Sequence, residues 1–449
     1  MSFVWTLDAV RDAVGDGPAG DAILAGVSTD SRTIAPGSLF VALRGDRFDA
    51  HEFLEQAVAQ GAAALVVTDG ARAAALGVPV YVVPDTLVAL GALARYRRRA
   101  WGGRLVAVAG SNGKTSTKEL LRAALAVRLR VHATTGNLNN RVGLPLTLLA
   151  IPDDADVVVA EVGTNVPGEV AILRDICEPD AAIVTSIGEE HLEGLHDLAG
   201  VLREEASVFR GVALAVTPAA QPEVAEAARP LARRVLSAGL DAGDVRPTRW
   251  AVAADGTGSL TLDGVDVHVP LRGVHNLRNA MLALATAREL GVPLPDAARG
   301  IAAVPQPSMR TAWEPLGQAV VLNDAYNANP SSMYAAFDLV AAAAGARPRV
   351  AVLGEMLELG AETDHLHHEV ARRALDGTFD LVAGVGRFAD VLAAEADGTS
   401  ARVVTAPDAD ALWPLLEPQL APDAFILLKG SRGMRLERLV PHLTAWAAR

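Results

Sequence analysis

Short apolar runs, each closed by a glycine-rich or polar turn and followed by a segment with helical spacing, recur along this chain. Runs that are apolar at every position, without alternation, suit strands buried on both faces. In the first hundred residues they fall at 38–43, 64–67 and 80–83; further runs fall at 106–109, 157–160, 181–184 and 212–215. The last group lies at 320–322, 350–353, 381–384 and 425–428. Between about Thr248 and Leu271 the pattern shortens to alternation broken by glycines, the mark of added β-hairpins. Arg97-Arg98-Arg99 followed by Trp101-Gly102-Gly103 reads as a hinge, and Pro305-Gln306-Pro307 as a stiff linker. No internal repeat is visible. The predicted fold is α/β in three domains: a small α/β domain over 1–100, a central, mainly parallel-sheet P-loop ATPase-like domain over 101–307, and a Rossmann-like α/β domain over 308–449.

One junction carries specific chemistry. The run 106–109 passes directly into Gly110-Ser111-Asn112-Gly113-Lys114-Thr115-Ser116, and a helix follows. Backbone N–H groups at such a turn and at the helix start point at an anion, with Lys114 to offset phosphate charge and the Thr115 hydroxyl to bind the accompanying magnesium. The usual spacing would place a glycine where Val108 stands, so the loop is short and needs support from elsewhere. An ordinary strand-to-helix surface turn is the alternative.

Composition narrows the class. A chain of 449 residues, 51% hydrophobic and 21% charged, is globular and long enough for roughly two to four domains. A net charge of −13 argues against a nucleic-acid surface, so an anionic substrate must be held by local basic groups and helix termini. No apolar run is long enough to span a membrane, and the start, Met1-Ser2-Phe3-Val4-Trp5-Thr6, has no signal-peptide pattern. With Cys177 as the single cysteine, a cytoplasmic address is expected, and Cys177 reads as a small buried hydrophobe.

Ligands of open α/β sheets bind at the carboxyl ends of strands, which gives weight to polar residues after apolar runs. Glu161 closes one run, and Glu189, Glu190 and His191 follow another. Glu161 with His191 could hold a nucleotide-bound magnesium; alternatively Glu161 caps a helix and His191 is an exposed loop residue. The amide-rich Asn137-Leu138-Asn139-Asn140 either orders a substrate or stabilises its own turn. His275-Asn276-Leu277-Arg278-Asn279 reads as helix capping. Asn323 to Pro330, Gly354 to Gly360 and Lys429 to Arg435 also follow strands, the last with three cations in seven residues.

Together these segments resemble the Mur ligases, ATP-dependent amide-forming enzymes of peptidoglycan precursor synthesis, over essentially the whole chain. The short loop 110–115 is similar to that family's ATP loop, which accounts for Val108. Tyr326-Asn327-Ala328-Asn329-Pro330, Thr135 to Asn140 and Lys429-Gly430-Ser431-Arg432 look like the last ligase of the series, which adds D-alanyl-D-alanine to a UDP-N-acetylmuramoyl tripeptide. The resemblance implies ATP and Mg2+ as cofactors, with Gly110, Asn112, Gly113, Lys114, Thr115 and Ser116 cradling phosphate. It implies Thr115, Glu161 and His191 on magnesium, and Asn276 and Asn279 beside adenine. Arg310 and Asp324 would reach phosphate and ribose, so that Lys114, Glu161, His191 and Arg310 form the catalytic set. It further implies Ser31 and Arg32 at the UDP-sugar, and Asn137, Asn139 and Asn140 at the substrate. Asn329, Ser331 and the 355–360 loop would face the dipeptide. A monomer that binds these small molecules and no nucleic acid is expected.

One position departs from the family. Where the pattern has a lysine that becomes a carbamate and serves a second magnesium, this chain has Glu205. Either Glu205 supplies that negative charge directly, or it is a solvated helix residue. Two rivals to the ligase reading are another amide ligase of the superfamily, of the folylpolyglutamate synthase type, and a non-catalytic nucleotide-binding partner. Nucleotide is expected to close the C-terminal domain onto the central one.

Overall fold

The computed structural model describes residues 3–45 and 48–449, so Met1 and Ser2 of the start lie outside the described residues. It divides into two units, one of residues 1–108, 129–164 and 168–182, the other of 109–128, 165–167 and 183–449.

In the first unit β1 (Val27–Ser28), which no apolar run announced, joins the strands formed by the three leading runs, β2 (Leu39–Val41), β3 (Ala64–Val67) and β4 (Val80–Val82), in a parallel sheet in that order. Leu39, Val41 and Val66 pack on one face, Phe40, Leu65 and Val67 on the other, which is why these strands show no alternation. Helix Thr86–Trp101 starts at Asp85, whose carboxylate accepts from the Leu87 and Val88 N–H groups, and it stops at left-handed Gly102. Its arginines are all engaged. Arg97 is buried and bonds the Ile151 carbonyl and Asp153, Arg98 reaches the Cys177 carbonyl at 3.0 Å and Asp180 at 2.9 Å, and Arg99 pairs with Glu178. Three cations in one helical turn thus clamp segments of one unit that are distant in sequence. Next come β5 (Arg104–Ala109), β6 (Val131–Ala133) and β7 (Val157–Glu161), parallel in the order β6-β7-β5, with Glu161 opposite Val108. β8 (Ala181–Val184) is buried throughout.

The second unit holds the phosphate loop and everything after β8. β9 (Leu214–Pro218) pairs in parallel with β10 (Val235–Ala238). β9 begins two residues later than the apolar run because the Val212 N–H closes a turn on the Phe209 carbonyl. β11 (Arg249–Val252), β12 (Gly258–Leu262) and β13 (Val265–Val269) are the expected antiparallel hairpins. Helix Lys114–Ala126 packs on helices Val274–Glu289 and Leu294–Ala302.

The last sheet comprises β14 (Ala312–Leu316), β15 (Ala319–Asp324), β16 (Arg349–Leu353), β17 (Leu381–Val385), β18 (Arg402–Ala406) and β19 (Phe425–Lys429). Its order is β14-β15-β19-β16-β17-β18, parallel but for the antiparallel edge strand β14. Apolar cores cover both faces. The register sets Asp324 of β15 and Leu353 of β16 on either side of Lys429, so the carboxyl ends of three strands lie level. Among the described residues no helix is long and apolar enough to cross a membrane.

Candidate active site

β5 stays buried through Ala109, so the chain cannot turn at Val108 and the loop begins at Gly110. Gly110 has φ +117°, and a Cβ there would stand 2.5 Å from the Thr185 hydroxyl. Gly113 has φ +83°, and its Cβ would meet the Asn279 amide at 2.7 Å. Only glycine fits either place. The short loop draws its support from the segment after β8: Ser111 N–H donates to the Ser186 carbonyl at 2.8 Å, and the Thr185 hydroxyl donates to the Asn112 carbonyl at 2.6 Å. Helix Lys114–Ala126 starts at Gly113 with no side-chain cap, and its positive end lies at the loop. Lys114 folds over its own loop, donating to the Gly110 and Ser111 carbonyls, and its Nζ lies 3.8 Å from a Glu190 oxygen.

Beneath the loop lie two buried carboxylates. Glu205 is fully buried on helix Leu198–Ala206; its Oε2 accepts from the Gly110 N–H at 2.6 Å, while Oε1 has no hydrogen-bond partner. Burial pushes this carboxyl up to about 7; the Lys114 charge opposes the rise and the Glu190 charge adds to it. The solvated-helix reading of Glu205 is therefore wrong. Arg203-Glu204-Glu205 looks like an exposed face, yet both glutamates are buried. Glu190 is 5% exposed, and its Oε1 also lacks a partner.

His191 takes a left-handed conformation, φ 51°, which turns its Nδ1 onto Glu358. Burial favours the neutral ring, but the Glu358 bond and the charges of Glu190 and Glu358 outweigh it and raise the imidazole; the same bond lowers Glu358. With 16% of its side chain exposed and an ion pair made, His191 is not a free loop residue.

In the C-terminal sheet the pair at the strand ends is saturated. Asp324 Oδ1 accepts from the Thr311 N–H at 2.9 Å and Oδ2 pairs with Lys429 at 2.8 Å. The Lys429 ammonium also donates to the Asn327 carbonyl at 2.8 Å. Arg310 lies flat over Tyr326, 4.0 Å from the ring centre. Asn276 and Asn279 do not cap their helix, contrary to the capping reading: Gly273 holds the cap position, Asn276 donates back to the Arg272 carbonyl, and Asn279 donates to Asn276. Asn329 caps helix Pro330–Ala343, and its amide donates to the Asn112 side chain at 3.1 Å. Asn112 in turn donates to Ser331 at 3.0 Å, so these three residues join the phosphate loop to the C-terminal sheet. Ser116 is buried in the first turn of the loop helix.

The remaining candidates lie in the first unit. Glu161 ends β7, 2% exposed, and its Oε1 accepts from the Asn139 amide at 3.0 Å; it is a strand-end acid and not a helix cap. Asn140 accepts from the Val142 and Gly143 N–H groups, the local turn role, and Asn137 is exposed. Ser31 is buried, whereas Arg32 is exposed and grips Asp30 through two bonds, which hold that carboxyl at about 2.

Sequence reasoning gave no individual role to Glu190, Lys429 or Tyr326, and placed Glu358 only within a loop facing the dipeptide. Each occurs in a strand-end segment, and that position was the available signal.

Comparisons with known proteins agree with this arrangement. The Mur ligase middle domain matches residues 108–287, the Mur ligase glutamate ligase domain 309–432, and the Mur ligase family catalytic domain 24–98. The UDP-N-acetylmuramoyl-tripeptide–D-alanyl-D-alanine ligase of Escherichia coli is 36% identical over 97% of both chains. That of Bacillus subtilis is 33% identical over 94% of this chain and 93% of its own. The crystal structure of MurF from Acinetobacter baumannii superposes with a TM-score of 0.90 at 29% identity, covering 99% of each chain.

Proposed function

The chain belongs to the Mur ligase family, and from that premise we propose that it joins D-alanyl-D-alanine to a UDP-N-acetylmuramoyl tripeptide at the expense of ATP. The observation that carries this reading is the short loop 110–115, with Lys114 at the first helical position and two buried carboxylates beneath it.

The tripeptide's terminal carboxylate attacks the γ-phosphorus of ATP; the bond to the β-phosphate oxygen breaks, and ADP and an acyl phosphate result. The free amine of D-alanyl-D-alanine then attacks the acyl carbon, loses a proton and expels inorganic phosphate. Both steps set anions against each other, so the barrier is mainly electrostatic. Lys114 leaves its loop carbonyls to meet the β- and γ-phosphates, while the N–H groups of the loop and helix start hold the remaining oxygens. Asn279, packed on Gly113, and Asn276 border the base, and Arg310, flat on Tyr326, turns its edge toward phosphate. Asp324 reaches the ribose through whichever lone pairs Thr311 and Lys429 leave. Ser31 and Arg32 receive the UDP-sugar, Asn137, Asn139 and Asn140 the muramoyl peptide, and Ser331 with Asn329 the dipeptide.

Magnesium fits the donors present, because a buried carboxylate oxygen without a hydrogen-bond partner suits a hard cation. Thr115, Glu161, His191 and Glu205 would hold it, and it would screen phosphate charge. Nucleotide favours the contact of Asn112 with Asn329 and Ser331, which excludes water from the acyl phosphate.

Phosphate release tests the reading. Release is expected only with ATP, UDP-muramoyl tripeptide and D-alanyl-D-alanine together. Turnover with another amine in place of the dipeptide, such as glutamate, would instead support the folylpolyglutamate type, and no turnover with any amine a non-catalytic partner.

A further inference from the structure

Gln221 lies outside every segment assigned a role, yet both ends of its amide are engaged. It holds the N-cap position of helix Pro222–Ala228, where a side chain ordinarily accepts from the first turn, and it makes no such bond. The amide reaches instead to the segment after β8, 34 residues back in sequence: its Oε1 accepts from the Ile187 N–H at 2.8 Å, and its Nε2 donates to the Ile187 carbonyl at 2.8 Å. One planar group thereby fixes both backbone groups of one residue. The neighbours of Ile187 are the residues that brace the phosphate loop. Ser186 takes the Ser111 N–H on its carbonyl at 2.8 Å and the Asn112 N–H on its hydroxyl at 3.2 Å, while the Gly188 N–H donates to the Ser111 hydroxyl at 2.9 Å. Gly188 also lies close to Ser331, whose hydroxyl a Cβ at 188 would meet at 2.8 Å. The Ile187 side chain packs on the apolar cluster that contains Leu192, Leu195 and Met333.

We propose that Gln221 is a positioning residue for the nucleotide: its amide fixes Ile187, and Ile187 fixes the two residues that give the loop at 110–112 its shape. The inference rests on the nucleotide reading given above. Backbone N–H groups stabilise a phosphate only when they converge on it, so their worth depends on the loop being held before the nucleotide arrives. The short loop takes its hold from Thr185, Ser186 and Gly188, and the residue between the last two takes its own from Gln221. Polarity matters here as much as reach. A carboxylate in the same place would keep the acceptor for the Ile187 N–H but set a second acceptor against the Ile187 carbonyl.

The test is a calorimetric titration of the full chain with ADP in excess Mg2+, beside steady-state kinetics. Gln221→Met, which matches the side chain in length and makes neither bond, should weaken ADP about tenfold. It should raise the KM for ATP and leave the KM for UDP-muramoyl tripeptide at the wild-type value. Gln221→Glu should weaken ADP at least as much. Thermal melts without ligand establish that each variant is folded; if Gln221→Met is not, Gln221→Glu carries the comparison, and failure of both to fold overturns the proposal by making Gln221 a structural residue. Unchanged ADP affinity in a folded variant overturns the role of Gln221 and leaves the ligase reading standing. Equal losses for ADP and UDP-muramoyl tripeptide overturn it as well, because they mark a general loosening. Failure of the wild type to bind ADP removes the nucleotide reading itself, and this role with it.

Discussion

Lys429, buried at a strand end, and Lys114, partly buried at the start of the loop helix, belong to the same unit, and their acids differ. Lys429 meets Asp324, both of whose oxygens are engaged, one by the lysine and one by the Thr311 N–H. Lys114 lies near Glu190 and Glu205, each of which keeps an oxygen without a partner. A saturated pair contributes rigidity, because moving either member strands the other. An unsaturated one costs stability in the resting state and leaves capacity for a charged ligand, as expected where function and stability conflict. One cluster fixes the carboxyl ends of interior strands of the sheet, and the other waits for phosphate.

Breaking the two lysines separates these roles. Lys114→Met should lower kcat for phosphate release on the order of 10³-fold or more while the urea midpoint hardly moves. Lys429→Met should do the reverse in kind, costing about 3 kcal/mol of stability by leaving the partly buried Asp324 without its cation. If Lys429→Met keeps its stability, the contrast fails.

The pH dependence of the metal-free protein sharpens the open cluster. Folded Glu205 holds its proton more tightly than an unfolded glutamate, so stability should fall as pH rises from about 4.5 to about 7 and level off beyond. A shift of that size corresponds to roughly 3 kcal/mol. Glu205→Gln should flatten this slope in urea titrations run in chelator, and an unchanged slope would assign it to another group.

The smallest effect concerns the pair joining His191 to Glu358, whose carboxylate is half exposed. Glu358→Gln should cost about 0.5 kcal/mol. With His191 raised and Glu358 lowered, that stability is full between about pH 4.5 and 6.5. It should fade above this window as the imidazole loses its proton, and below it as Glu358 gains one. Denaturation midpoints at pH 4, 5.5 and 8 would reveal the window.

Much of the fold could be read from the chain because strands buried on both faces leave uninterrupted apolar runs, and 64–67, 181–184 and 350–353 each became or lay within a strand. β14 escaped notice because Ala312 to Leu316 contains Glu314 and Pro315, which a central strand rejects but an edge strand tolerates. The loop at 110–115 was legible since its chemistry is contiguous. Glu190 and Glu205 were not, because their meaning depends on burial under Gly110, and a run such as Arg203-Glu204-Glu205 reads as solvated until packing overrides it. The partners of Arg97 to Arg99 were hidden for the same reason: their acceptors lie more than fifty residues away.

Asn112 uses opposite ends of one amide, its oxygen accepting from Asn329 and its nitrogen donating to Ser331. That contact therefore has a polarity, like a keyed plug. Asn112→Asp would keep the shape yet present an acceptor where a donor is needed. A chimaera that borrows its last domain from a relative must import the matching partners of Asn112, or exchange all three residues as a set.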